Sequence, residues 1–431
     1  MATTPTIVVG RNNWGIKNGN LLGYYQSDDG FFVKREFAAT RGGGTNGTFV
    51  GSNGFIQTAA SGNLPRIDFY GGSPALLVEP AATNFAPNVN LMTGLDTPTV
   101  SGGVTLTTGS TDFLAPDGAS GSINKYVGGA ASGNTQNSRY GAASLIVTAS
   151  GTYRFSLFVK AGTTNPLNFC AIAFSLFTGG SGTSSSFFNL ASGTAITAGA
   201  SIENYGDGWY RCISAPYTIA SSDLSGTVYF NLASSSGSIS WPASGALNLT
   251  AYTWGAQMEA GSVATSYVPT TTGSVTRNAD VINLTGATDY IGQTEGTIYV
   301  EVDMQKTGVI NAIFALDVGS SSEYIALIRT SSNQFRASIK KSSGTQQNII
   351  NSSSYPIGIY KVAFAYKNGD YALYVNGVQA GTSTNATDFP TGSLTQAVVS
   401  NTNYGPFNDL IITAALYNER LSNQELIEIT S

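Results

Sequence analysis

Histidine is absent from all 431 residues. That one gap excludes Ser-His-Asp and Cys-His catalysis, together with any metal site held by imidazole. Cysteine is nearly as scarce. Cys170 and Cys212 are too few for a disulfide framework. Each sits in an apolar, strand-like stretch, so buried free thiols are the first expectation and a single cross-strand bridge the alternative. Charge is also scarce: 10% of residues are charged, with 20 Lys and Arg against 25 Asp and Glu. The formal net charge of −5, with no basic cluster, argues against a nucleic-acid partner. No apolar run reaches the ~18 residues of a membrane span. Met1 to Gly10 lacks a basic stretch followed by an apolar core, so no secretion signal is expected there. Sustained helical periodicity is missing too.

What is present points one way. The 51 glycines and abundant Ser, Thr and Asn would suit a disordered chain, but aromatics reach 11% and apolar residues 42%. That is enough bulky material to bury several cores, with the polar excess in turns and on solvent-facing strand positions. Short runs of Val, Ile, Tyr, Phe and Thr, punctuated by Gly, Ser and Asn, are what strands and tight turns require. The class is all-β. The length calls for two or three domains. A weakly charged surface rich in hydroxyls and amides suits neutral ligands such as sugars, and suits a durable structural surface equally.

Three parts are expected along the chain. Residues 1–84 give short strand signals at Leu21–Tyr25, Phe31–Phe37 and Ile67–Tyr70, and look too loose for an independent domain. They read as an attachment or docking segment that packs on a neighbour or on another chain. Residues 85–275 carry about nine spaced strand candidates, which fits a jelly-roll sandwich. Within them Tyr153, Phe155, Leu157 and Val159 alternate with mostly polar residues, placing one face inward. A linker-like run around Val268–Arg277 precedes a second sandwich over residues 280–431. There, Lys367-Asn368-Gly369-Asp370 joins Ala363–Tyr366 to Tyr371–Val375, the strongest hairpin signal, and Asn376-Gly377 supplies another tight turn. Ser422–Ile429 reads as the one helix, with Ser422 as N-cap and Glu425 at the third helical position.

Two sets of motifs carry a family resemblance. Arg66–Asn88 (RIDFYGGSPALLVEPAATNFAPN), Asp207–Cys212 (DGWYRC) and Tyr252–Val281 (beginning YTWGAQMEAG) resemble bacteriophage head-spike, head-fibre and tail-fibre proteins with a carbohydrate-binding-module-like jelly roll. The stretches GTIYVEVDM, YKVAFAYKNGDYALYVNGVQAGT and NDLIITAALYNERLSNQELIEITS, from Gly296 onward, resemble laminin-G-like or concanavalin-A-like lectin domains. The resemblance implies a virion surface protein, on capsid or tail, made in a host cytoplasm. It also implies other virion proteins as partners, a homo-oligomer with a trimer ahead of a dimer, and a host-surface glycan as ligand. A dedicated carbohydrate-binding adhesin is the alternative, with a polysaccharide depolymerase third.

Candidate chemistry is sparse. Glu301 and Asp303 share one strand face, where concanavalin-fold glycoside hydrolases keep paired carboxylates, but Gln305 and Lys306 stand where the general acid belongs. No catalytic residue, cofactor or metal is expected. Asp317, Glu323, Asn401 and Asp409 are the residue types that bind calcium, but in no loop motif. Gly42-Gly43-Gly44 lacks the Lys-Ser/Thr of a phosphate loop and reads as a turn. Trp241, Trp209 and Tyr210 are the candidate glycan contacts, since sugar C–H faces pack on aromatic rings. Trp241 lies in a Ser/Gly-rich loop, whereas core packing is the stronger reading for Trp209 and Tyr210. Trp254, beside Tyr252, reads as core, and Trp14 lies in an irregular segment. Arg66, Asp68 and Glu79 are expected to hold the chain by charge-assisted hydrogen bonds.

Overall fold

The computed structural model describes residues 4–10, 14–26, 32–42, 47–60, 62–86, 99–101, 103–129, 136–146, 148, 150–223, 225–240, 248–270, 273–308, 310–341, 347–385, 390 and 392–431. Trp241, Gly43 and Gly44 lie outside them. The described residues are nearly all-β, with the 3₁₀ turn Thr288–Tyr290 and the α-helix Asn423–Thr430 as their helical parts. Two compact units emerge.

The first unit combines residues 1–52, 58–81 and 277–431. One of its sheets runs, by hydrogen bonding, from Asn20–Gln26 through Ile7–Gly10, Asp409–Tyr417, Glu295–Met304, Gly358–Lys367 and Tyr371–Val375 to Val378–Ser383. The other runs from Phe32–Thr40 through Val281–Thr285, Gln396–Ser400, Asn311–Asp317 and Tyr324–Arg329 to Gln334–Lys340 and Gln347–Ser354. All these pairings are antiparallel, so alternate residues face alternate sides. Ile298, Val300, Val302, Phe364, Leu373, Ile313, Leu316, Ile325, Leu327 and Phe335 point between the sheets and form the main core.

Most of residues 1–84, namely 1–52 and 58–81, belongs to this first unit. Ile7–Gly10 pairs with Leu416–Thr413, and Ala75–Val78 pairs with Ile411–Asp409, so the two share one edge of the same strand. Ile7, Val9, Leu21, Phe37, Leu76 and Val78 belong to the main core. The segment looks loose in sequence because its partner strands lie hundreds of residues away.

A buried charge network holds the same region. Arg66, fully buried, reaches Glu79 at 2.8 Å and also bonds Asp280, whose other oxygen takes Arg41 at 2.9 Å. Arg277 lies 3.3 Å and Lys306 3.5 Å from Glu79. Burial disfavours the Arg66 cation, but Asp280 and Glu79 outweigh that and raise its pKa. Asp68 does a different job, accepting the amides of Val50 at 2.8 Å and Tyr70 at 2.7 Å.

The second unit comprises residues 53–57 and 82–276. Its two main sheets are Thr99–Ser101, Gln136–Ile146, Ser225–Ala233, Phe169–Ser175, Ser184–Asn189 and Thr194–Ala195 in one, and Thr105–Ser110, Ile123–Val127, Thr250–Ala260, Thr152–Ala161, Trp209–Ile213 and Ser201–Asn204 in the other. Tyr153, Phe155, Leu157 and Val159 enter its main core as their alternation requires. The opposite side of that strand is not solvent-facing. Phe158 is fully buried there with Trp209, Tyr252, Trp254 and Tyr267. The Cys170 and Cys212 thiols are free and buried, and burial followed by contact with Cys170 pushes Cys212 up.

Candidate functional site

The aromatic side of the second unit is sealed. Trp209 is 2% exposed, and its indole N–H donates to the Leu114 carbonyl at 3.0 Å. Lys160 sits 4.4 Å over the Phe113 ring and bonds the Asp207 carbonyl, closing the same face. Tyr210, next along the strand, projects to the other side and packs on the main core. The two therefore form no joint platform. Trp254 is buried, and Trp14 packs on the first unit's core with its Nε1 donating to Pro74 O at 2.9 Å.

Other candidates are occupied elsewhere. Glu301 and Asp303 are half-buried on a central strand of the first unit, and Asp303 accepts the Gln305 amide at 3.0 Å. The backbone amides of Gln305 and Lys306 donate to Asp409, which also takes Arg329 at 3.1 Å. Burial pushes the Asp409 carboxyl up to about 7, opposed by Lys306, the two amides and Arg329. Glu323 accepts from Ser393. Among the described residues no group of three or more Cys, Asp or Glu could hold a metal.

A recessed site does form on the outer face of the first unit's second sheet. Along Tyr324–Arg329, Ile325 and Leu327 face the core, so Tyr324, Ala326 and Ile328 face outward. Ala312 and Ala315 extend this floor on one side. Arg336 and Lys340 stand in register on the other, opposite Ile328 and Tyr324. The wall is the turn after Gln396–Ser400. Asn401 Oδ1 accepts the amides of Asn403 at 3.0 Å and Tyr404 at 3.3 Å, a turn that asparagine makes readily. Gly405, at φ +71°, lets the turn lie against Asn311, whose Oδ1 would be 2.7 Å from an added Cβ.

The Tyr404 ring meets Tyr324 edge-on, centroids 5.2 Å apart, and its hydroxyl donates to Asp317 at 3.2 Å. Burial raises the pKa of Asp317 despite this bond and the Gly319 amide, and pushes the Tyr324 hydroxyl up to about 12. The resulting cavity has a volume of about 360 Å³, lined chiefly by Tyr324, Tyr404, Asn311, Asn403, Arg336 and Lys340. An apolar floor with a few converging polar groups is what small-molecule sites share.

Neither Trp209 nor Tyr210 lines this site, and Trp241 lies outside the described residues. Asp317 and Asn401, singled out as ion-binding types, instead brace Tyr404 from behind. The Tyr324-x-Ala-x-Ile328 alternation signals the floor in sequence, but nothing local says that this face stays uncovered.

Residues 270–427 match the Concanavalin A-like lectin/glucanases superfamily. No curated protein matches the chain. Among solved structures, the chain resembles the CBM40 module of the Ruminococcus gnavus IT-sialidase at 17% identity, covering 32% of this chain and 84% of that one, TM-score 0.29. It resembles domain 4 of an extracellular arabinanase from Geobacillus stearothermophilus at 19% identity, covering 39% and 82%, TM-score 0.31. A SAP-like pentraxin from Limulus polyphemus follows at 13% identity, covering 32% and 70%, TM-score 0.26.

Proposed function

We propose that this protein is a non-enzymatic, carbohydrate-binding adhesin that holds a glycan in the Tyr324–Tyr404 pocket. The pocket itself carries the reading. It lies on an outer sheet face of the unit whose residues 270–427 match the lectin/glucanase superfamily. The part-exposed Tyr404 ring, backed by the buried Tyr324, offers a surface for sugar C–H faces, while Asn311, Asn403, Arg336 and Lys340 offer directed hydrogen bonds. Glycoside hydrolysis needs two carboxylates across the bond, and among the described residues the pocket lining contains none. Glu301 and Asp303 lie on the other sheet. The test is a glycan array with the full chain and a Tyr404→Ala variant. Array hits that fade in the variant support the reading; silence at high protein density removes it. Release of reducing ends from capsular polysaccharide would overturn the non-enzymatic part.

A second reading places this adhesin on a virion, as a head-fibre, capsid-decoration or tail-fibre component, trimeric and partnered by other virion proteins. What suggests it is the resemblance of the Arg66–Asn88, Asp207–Cys212 and Tyr252–Val281 stretches to phage fibre proteins, and within the fold their residues serve structural tasks. Arg66, Glu79 and Asp280 form the buried charge network, while Asn84 bonds Ala256, Val268 and Met258. Peptides of this chain in purified phage particles support the setting, and their absence from such particles counts against it. A stable monomer by light scattering removes the oligomer.

A further inference from the structure

Among the described residues, the pocket lining holds two cations, Arg336 and Lys340, and no carboxylate. Four residues apart on one strand, the two project to the same side at a spacing of about 13 Å. Neither takes part in any ion pair among the described residues. That sets them apart from Arg41, Arg66, Arg277 and Arg329 of the same unit, each held by a buried carboxylate. Arg336 Nε donates to Asn351 Oδ1 at 2.7 Å, which fixes the guanidinium plane. Its two terminal nitrogens donate to nothing among the described residues. Lys340 Nζ donates to Ser321 O at 3.1 Å and keeps two further N–H groups.

The carboxylates beside this floor are engaged. Asp317, fully buried, accepts the Gly319 amide on one oxygen and the Tyr404 hydroxyl on the other. Glu323 accepts from Ser393. A half-buried guanidinium with a fixed plane and an unused fork matches a planar carboxylate in two parallel hydrogen bonds.

We propose that the pocket selects glycans bearing a carboxylate, a uronic or a sialic acid, with Arg336 gripping the carboxylate and Lys340 binding at the far end. This rests on the glycan-binding reading above. The experiment uses the full chain and two matched probe pairs: tetragalacturonate against its methyl ester, and 3′-sialyllactose against lactose. Calorimetry is run on the protein and on its Arg336→Gln and Lys340→Gln variants, each checked for an unchanged circular dichroism spectrum. The expected result is about tenfold tighter binding of the acidic member of one pair. That preference is lost in Arg336→Gln, which binds the acidic and neutral members of the pair alike. Which pair shows it separates uronic from sialic acid. Equal affinities within both pairs, with array hits among neutral sugars, overturn the inference and leave the glycan reading standing. A preference that survives in both variants overturns the assignment to this pocket. Silence toward every probe and on the array removes both.

Discussion

Arg66, Arg336 and Asp409 show how one unit uses charge in three ways. Arg66 is locked among carboxylates and has only a structural task. Removing one member of such a network leaves an unpaired buried charge, so its partners cannot be changed singly without loss. Arg336 faces the pocket without an acidic partner among the described residues. Asp409 is fully buried, and burial lifts its carboxyl to about 7 from an ordinary 3.8. Between those values the folded protein holds a proton that the unfolded chain has lost. The stabilisation from this group is therefore full below about pH 4 and declines as pH rises through about 7. Asp409→Asn should flatten the stability–pH curve between about pH 4 and 7 relative to wild type. The slope removed is at most about 1.4 kcal/mol per pH unit. Urea unfolding at several pH values reads this directly, and an unchanged slope would show that the carboxyl stays ionised throughout.

At the scale of elements, local signals were read correctly where they are self-sufficient. Gly358–Lys367 and Tyr371–Val375 form the expected hairpin, and Asn376 and Gly377, at φ +48° and +75°, turn the chain into Val378–Ser383. The helix Asn423–Thr430 has the full capping box: Ser422 Oγ accepts the Glu425 amide, and the Ser422 amide donates back to Glu425. Leu426 then packs with Tyr299, Tyr374 and Tyr417 on the outer side of the first sheet. Ser422→Ala should cost about 1 kcal/mol and Ser422→Gly only a few tenths. Equal losses in chemical denaturation would mean that packing, rather than the cap, sets the end of the helix. Trp209 and Tyr210 are neighbours in sequence, and strand alternation sends them to opposite sides of the sheet, into separate apolar clusters.

At the scale of the molecule, both units are discontinuous in sequence, the second comprising residues 53–57 and 82–276 with a core of its own. Asp409–Tyr417 receives Ala75–Val78 and Ile7–Gly10 on one edge. A fragment of residues 280–431 would expose that edge and lose Leu21, Phe37, Leu76 and Val78 from the core. We expect it to aggregate or stay unfolded by circular dichroism and size exclusion, and co-expressed residues 1–81 to rescue it. A monomeric, cooperatively melting 280–431 fragment would refute this. Lectin activity should accordingly be assayed on the full chain.

The sequence by itself determined the all-β class, the hairpin and cap of the second half, and the inward face of strands such as Thr152–Ala161. These depend on residues close together in the chain, through alternation, turn geometry and capping. It also fixed the absence of histidine chemistry. Only the tertiary structure decided that residues 1–81 complete a sandwich begun at residue 277, since β-pairing between distant segments leaves no local mark. It alone decided that the aromatic side of the second unit is covered while Tyr324 and Tyr404 border an open pocket. Whether an outward strand face meets solvent or its own chain depends on where distant loops come to rest. No periodicity along one strand records that.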